Sequence, residues 1–401
     1  MLKPLNYNFV KKGMKNILQN SKNAIIWLCT AHLVCDVYSG FLNPLMPFIA
    51  AKLNFSMAIA TILMAIAQIC SNMLQPIFGF FADNILKRFF IFWGVILASV
   101  FIPLTPLAPN VIILAFFMVF GCLGGSFFHP QSMGFVNHFS SSKYCSNNMG
   151  IFVSLGSLGF AFGPLIAAII TQSGGLNMII WTSLAGLIIA STMFLYVPKL
   201  SNIEKTPERK DFIKSFKEIL SNRQINYLMI IAMMKSLVTN SSCILLPFLW
   251  KAMGYSPFYI GFALFLFVFA GSIGSFLSPK LEKIFGTKPV IYFSMCATLP
   301  MMVIFALSYK TMPIFSLAIF GLIGFTTMLS QPITLILAQA TLPKYKSIVA
   351  GFVNGFCWGV IAFCMSFMGA IAEKYGIINV LLVLSTIPVY ASYFVKKLKI
   401  N

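Results

Sequence analysis

Apolar runs of about 20 residues, each long enough to cross a hydrocarbon layer of ~30 Å as a helix, follow one another along nearly the whole chain. Short polar turns separate them. The pattern predicts helical spans at 24–50, 56–80, 89–107, 111–136, 148–171, 176–198, 225–250, 257–279, 289–308, 312–338, 347–370 and 376–394. A soluble globule is excluded, because so many uninterrupted apolar runs could not all be buried in one core. One long polar stretch, "KLSNIEKTPERKDFIKSFKEILSNR" (199–223), divides the spans six and six. The expected fold is an all-α membrane protein with twelve transmembrane helices in two pseudo-symmetric six-helix bundles. Its parts are a basic tail (1–23), a first bundle (24–198), a linker (199–224) with a short amphipathic helix at 211–220, a second bundle (225–394) and a tail (395–401).

The two halves resemble each other. "PFIAAKLNFS" (47–56) precedes "PFLWKAMGYS" (247–256) by 200 residues, with Pro-Phe and an aromatic-Ser pair in matching places. Near that offset "FHPQS" (128–132) faces "SQPIT" (330–334), and Gly150 faces Gly351. Duplicated six-helix units are a common construction of secondary transporters, with the binding site near the midplane between the repeats.

Composition agrees with a membrane span series: 59% of residues are hydrophobic and 9% charged, against roughly a quarter charged in an ordinary soluble domain. The net charge of +20 would suit nucleic acid, but its distribution argues otherwise. All 28 basic residues except Lys52, Lys235, Lys251, Lys310 and Lys374 fall in the tails, the linker and every second turn. That asymmetry predicts cytoplasmic termini and excludes a nucleic-acid surface. The nine cysteines form no CxxC pair, so neither a disulfide framework nor a zinc site is indicated. The first 23 residues are polar and basic, without the apolar stretch of a cleaved signal, and are expected to be mainly disordered, with a short surface helix as the alternative.

Two segments carry motif-like spacing. "GFFADNILKR" (79–88), in the turn after the second span, places Gly79, Asp83, Lys87 and Arg88 where a close backbone approach, a helix N-terminus and a basic surface would need them. The matching turn of the second half, "SPKLEKIFGTK" (278–288), keeps Glu282 and Lys288. "GIFVSLGSLGFAFGPLIAA" (150–168), in the fifth span, spaces Gly150, Gly159, Gly163 and Pro164 along one helix. Small residues there permit close helix packing and Pro164 permits a bend.

The first segment resembles the signature loop of the major facilitator superfamily, and the second resembles the antiporter motif of its drug exporters, with alanines replacing the usual final glycine pair. Together with His32 and Asp36 in the first span, "QPIFGFFAD" (75–83) and Phe-Phe-His-Pro (127–130), the chain is most similar to the fosmidomycin-resistance branch. The resemblance covers the first half closely and the second mainly by helix count. It implies a proton-driven efflux pump of the bacterial inner membrane, a gating role for the signature loop including Glu282, and a cavity lined by spans 1, 4, 7 and 10.

Ionisable residues inside the spans are the candidate functional groups, since a charged side chain at a helix centre costs ~2.5–3.5 kcal/mol on insertion scales. Asp36 lies near mid-depth, and His32, four positions earlier, shares its helix face. They are the candidate proton-coupling residues, with helix packing as the alternative. Lys235 sits at similar depth in span seven, one position from where the 200-residue offset carries Asp36; it could pair with Asp36 or extend its stem to the interface. His129 precedes Pro130, which frees a carbonyl in the preceding turn, so it serves either backbone or substrate. Gln131, Gln331 and Asn354 join Lys235 and His129 as candidate substrate contacts, with packing the competing role, as for Gln75. His138 falls in a loop.

The expected function is proton-coupled efflux of a small organic compound or drug, a fosmidomycin-like antibiotic being one candidate, by a monomer that alternates access. An importer or uniporter of a small metabolite on the same fold is the alternative. A cationic substrate would displace the proton from Asp36 and give antiport; an anion on Lys235 would favour protonation of Asp36 and symport-like coupling. Fosmidomycin is an anionic phosphonate, so the resemblance and this charge argument point in opposite directions. No Ser/His/Asp spacing, HExxH or nucleotide loop suggests an enzyme, and no cofactor or metal is expected. The partners are substrate, protons and the lipid bilayer.

Overall fold

The computed structural model describes residues 7–75, 77–78, 89–141, 144–198, 216–343, 349 and 351–400, with the side chains of 7–20, 146, 351 and 354 not described. It is helical throughout, and no strand occurs among the described residues. Eleven described helices are long and apolar enough to cross a membrane. They are α1 (Ser21–Leu53), α3 (Phe89–Leu107), α4 (Val111–Phe139), α5 (Asn147–Gly174), α6 (Leu176–Tyr196), α7 (Arg223–Ala252), α8 (Pro257–Phe285), α9 (Thr287–Ser308), α10 (Pro313–Thr341), α11 (Cys357–Tyr375) and α12 (Ile377–Lys397). The shorter apolar helix Met57–Met73, α2, completes twelve.

Two local expectations are corrected. The helix leading into α1 begins at Tyr7, so much of the basic leader takes the helical alternative rather than the expected disorder. Helix α4 runs through Phe139, which puts His138 in its last turn rather than in a loop. In the linker, residues 216–221 are helical, and the remainder of the expected 211–220 helix lies outside the described residues.

The duplication seen in sequence is reproduced in backbone detail. Asn54 (φ 57°) and Gly254 (φ 83°) both adopt the left-handed conformation. Phe55 N–H returns to Ala50 O (3.1 Å) and Tyr255 N–H to Trp250 O (3.0 Å), the wide hydrogen bond that closes a Schellman-type helix end. Ser56 and Ser256 then cap the next helices, each Oγ accepting from a backbone N–H three residues on at 3.3 Å. One turn design is used at the same place in both halves.

Across the seam between halves, α2 packs on α11 and α5 on α8. At the end carrying the 54 and 254 turns the seam is tight. A β-carbon on Gly261 would overlap Pro164 O and Ala168, and one on Gly369 would lie 2.6 Å from Met57 O. Glu373 Oε1 accepts the Ala58 N–H (2.9 Å), placing a carboxylate of α11 at the N-terminus of α2, where the helix dipole favours it. Near mid-depth Gln68 Nε2 donates to Asn240 Oδ1 (3.0 Å). Near the start of α5, Asn147, Gly150, Ile151, Ser154 and Leu155 border a shallow, open surface depression. Two π-helical segments meet on the seam: Ile69–Met73 in α2 and Gly351–Phe356 leading into α11.

Candidate functional site

Two of the chain's three histidines converge on the acid in α1. His32 Nε2 lies 3.2 Å from Asp36 Oδ2, as the four-residue spacing on one helix face requires. His129 of α4 approaches the other carboxylate oxygen, Oδ1, at 3.4 Å. His32 Nδ1 is 2.8 Å from the Phe152 carbonyl of α5. His32 is 5% exposed, and the Asp36 and His129 side chains 16% each, so the cluster is sheltered yet reachable.

The proton inventory follows from hydrogen-bond chemistry. A carbonyl only accepts, so His32 Nδ1 carries a hydrogen and donates it to Phe152 O. A neutral His32 therefore presents a bare Nε2 to Asp36. A proton between them, either on the carboxyl or on an imidazolium, would make this 3.2 Å contact a hydrogen bond. His129 can donate its Nε2–H to the other oxygen while neutral. With that one proton the cluster is electrically neutral; without it a net negative charge remains in the membrane, where it is costly.

Helix interruptions and glycines position these groups. The α-helical run of α1 breaks at Gly40, whose N–H is shared between Asp36 O (3.0 Å) and Val37 O (3.2 Å). Pro44 follows and cannot donate back to Gly40. Gly159 and Gly163 let α5 lie on the α1 backbone: β-carbons there would overlap Leu33 O and Val37 O. Gly156 faces the cluster itself, and a β-carbon on it would overlap the His32 ring. The motif glycines thus pack α5 on the turn bearing Asp36, whereas Gly150 has nothing within 4 Å.

The second half holds a different site in a related place. Lys235 of α7, 3% exposed, donates to Ser330 Oγ of α10 and to Ser294 Oγ of α9 (3.4 Å). Helix α10 is interrupted at Ser330, so a broken helix adjoins each site. Pairing of Asp36 with Lys235 does not occur: Asp36 is engaged by the histidines, and no carboxylate among the described residues forms an ion pair with Lys235. The α1–α4 contact of Asp36 with His129 and the α7–α10 contact of Lys235 with Ser330 are counterparts under the duplication. A small cleft beside Lys235 is lined by Ser236, Thr239, Thr327, Gln331, Thr334 and Trp358, among others.

Gln331 therefore joins Lys235, while Gln131 Oε1 accepts the Ile91 N–H (2.9 Å) and ties α4 to α3. Gln75 Nε2 donates to Ser71 O (2.9 Å) within its own segment. Glu282 accepts from Thr287 Oγ1 (2.7 Å), joining the end of α8 to the start of α9. Gly79, Asp83, Lys87, Arg88 and the Asn354 side chain lie outside the described residues. Sequence reasoning missed the Phe152 carbonyl, Gly156, Ser294 and Ser330. Only Gly156 left a trace, three positions before Gly159 in a row of small residues.

Residues 28–366 match the sequence model of the Major Facilitator Superfamily. The chain belongs to that superfamily. Its members are transporters rather than enzymes, and this chain is a multi-pass membrane protein of that kind. Among curated proteins it is similar to the uncharacterized MFS-type transporter YfnC of Bacillus subtilis (strain 168), 23% identical over 375 residues that cover 91% of this chain and 90% of that protein. It is also similar to the fosmidomycin resistance protein of Escherichia coli (strain K12), 23% identical over 360 residues and covering 86% of each. Among solved structures, a bacterial homolog of the human lysosomal transporter Spinster, inward-facing and occupied, superposes with TM-score 0.73 at 16% identity, over 93% of this chain and 95% of that one. A D-xylose–proton symporter superposes with TM-score 0.71 at 14% identity, over 94% and 96%. At these identities the structures establish a shared fold.

Proposed function

We propose that this chain exports a small organic compound from a bacterial cell in exchange for protons, as a monomer in the inner membrane with cytoplasmic termini. The observation that carries the reading is the His32–Asp36–His129 cluster, which is neutral with one shared proton and charged without it. A carrier that must neutralise this cluster before it reorients would tie its conformational cycle to the proton gradient. Export is favoured by the α5 glycine spacing and by the similarity to a fosmidomycin resistance protein. The separation of Asp36 from Lys235 removes the conflict raised by an anionic cargo, which need not compete directly for the proton site.

In proteoliposomes, addition of substrate should drive proton movement that Asp36→Asn abolishes while the protein still inserts. Susceptibility profiling of an expressing strain, phosphonate antibiotics included, supplies the substrate. Undiminished proton movement in the variant rejects the role of Asp36.

A second reading is symport of an anion with a proton. Lys235, buried with hydroxyl partners and no carboxylate, favours it, because anion and proton together would leave both halves neutral. Inward accumulation of substrate down the proton gradient would select it over export.

A further inference from the structure

The cluster around Asp36 has the makings of a metal centre. One ring nitrogen each of His32 and His129 and a carboxylate oxygen of Asp36 all lie within 4.8 Å of one another. Each imidazole stands about one tetrahedral ligand–ligand edge (roughly 3.3 Å for ligands at ~2.0–2.1 Å) from a carboxylate oxygen, His32 from Oδ2 at 3.2 Å and His129 from Oδ1 at 3.4 Å. The Phe152 carbonyl fixes the hydrogen of His32 on Nδ1. That leaves the Nε2 lone pair aimed at the cluster, the outer-shell arrangement that orients histidine ligands in metal proteins.

We infer that His32, Asp36 and His129 bind one divalent transition ion of the Zn²⁺, Co²⁺ or Ni²⁺ class in place of the shared proton. Two imidazoles and one carboxylate suit these borderline ions, whereas Mg²⁺ and Ca²⁺ prefer oxygen ligands. Three protein ligands leave a fourth position for water, as in open zinc sites. Closure on one Asp36 oxygen needs His129 to move from Oδ1 toward Oδ2, and its side chain is partly exposed. The ion and the proton require the same Asp36 oxygen and His32 nitrogen, so occupancy by one excludes the other. Binding of this ion would therefore block transport. The inference uses the residues of the proposed proton site and stands independently of its coupling.

The test is Co²⁺ titration of the purified full chain in detergent, carrying a tag free of histidine, followed by visible absorption and reversed with Zn²⁺. The expected result is one ion per chain with the spectrum of a tetrahedral nitrogen–oxygen site and no sulfur-to-cobalt charge transfer. His129→Gln and Asp36→Asn should each weaken binding at least tenfold at unchanged monodispersity, and His138→Gln should leave it unchanged. Absence of saturable binding, a thiolate spectrum, or equal effects of His129→Gln and His138→Gln would overturn the inference. Proton flux in chelator-treated proteoliposomes separates the two claims. Flux lost in Asp36→Asn without Co²⁺ binding to the wild type sinks the metal site alone; Co²⁺ binding with flux intact in Asp36→Asn sinks the coupling alone.

Discussion

A β-carbon on Gly156 would overlap His32 and come within 2.8 Å of Asp36 Oδ2, so the absence of a side chain on α5 sets the position of the imidazole on α1. Gly156→Ala should displace the ring and break its bond to Phe152 O or to Asp36. Alanine is the better helix former by about 1 kcal/mol, yet overpacking costs ~1–3 kcal/mol, and packing should win. The expected outcome is a lower unfolding temperature and at least a tenfold loss of proton-coupled transport. Wild-type flux at wild-type stability would show that the cluster does not need this close approach.

Lys235 offers a test of anion binding in which stability and function separate. In Lys235→Met the stem is kept and the ammonium removed. The hydroxyls it leaves remain bonded: Ser330 donates to Ser294 (3.0 Å), and Ser294 to Thr326 O (2.7 Å). Replacing a buried charge by an apolar group of similar volume is often neutral or stabilising. Thermal unfolding in detergent should therefore be unchanged or slightly raised, while transport of an anionic substrate falls to background. A folded variant with full transport would remove Lys235 from the substrate path.

The paired turns at Asn54 and Gly254 predict unequal tolerance. Left-handed backbone costs a residue with a β-carbon roughly 1–2 kcal/mol, and asparagine bears it better than alanine. Gly254→Ala should lower the unfolding midpoint, and Asn54→Ala should do so by less, while Asn54→Gly should be neutral or mildly stabilising. A neutral Gly254→Ala would mean that this helix end has another conformation.

Much of this architecture was legible in the chain because lipid imposes a simple rule: apolar runs of fixed length, broken by turns. The span ends fall within a few residues of α3, α6 and α9, and the 47–56 and 247–256 repeat is realised down to its capping serines. Asp36 and His32 could be read because four residues on one helix face meet without help from the fold. The rest depended on convergence between helices. That His129 rather than Lys235 reaches Asp36 is decided by how α1, α4 and α5 cross, which periodicity does not encode. Ser294 and Ser330 are two hydroxyls among many until Lys235 selects them, and the Phe152 carbonyl has no side-chain signature at all.

The π-helical segments on the seam have a consequence for how faces are counted along α2. Each accommodates one more residue than an α-helix would in the same length, so the residues beyond it are turned by about 100° from where unbroken α geometry would point them. Excising one residue from 69–73 would straighten the ladder and swing Leu74 and Gln75 around the helix axis. A wheel drawn without that offset assigns Gln75 to the wrong side of the rod.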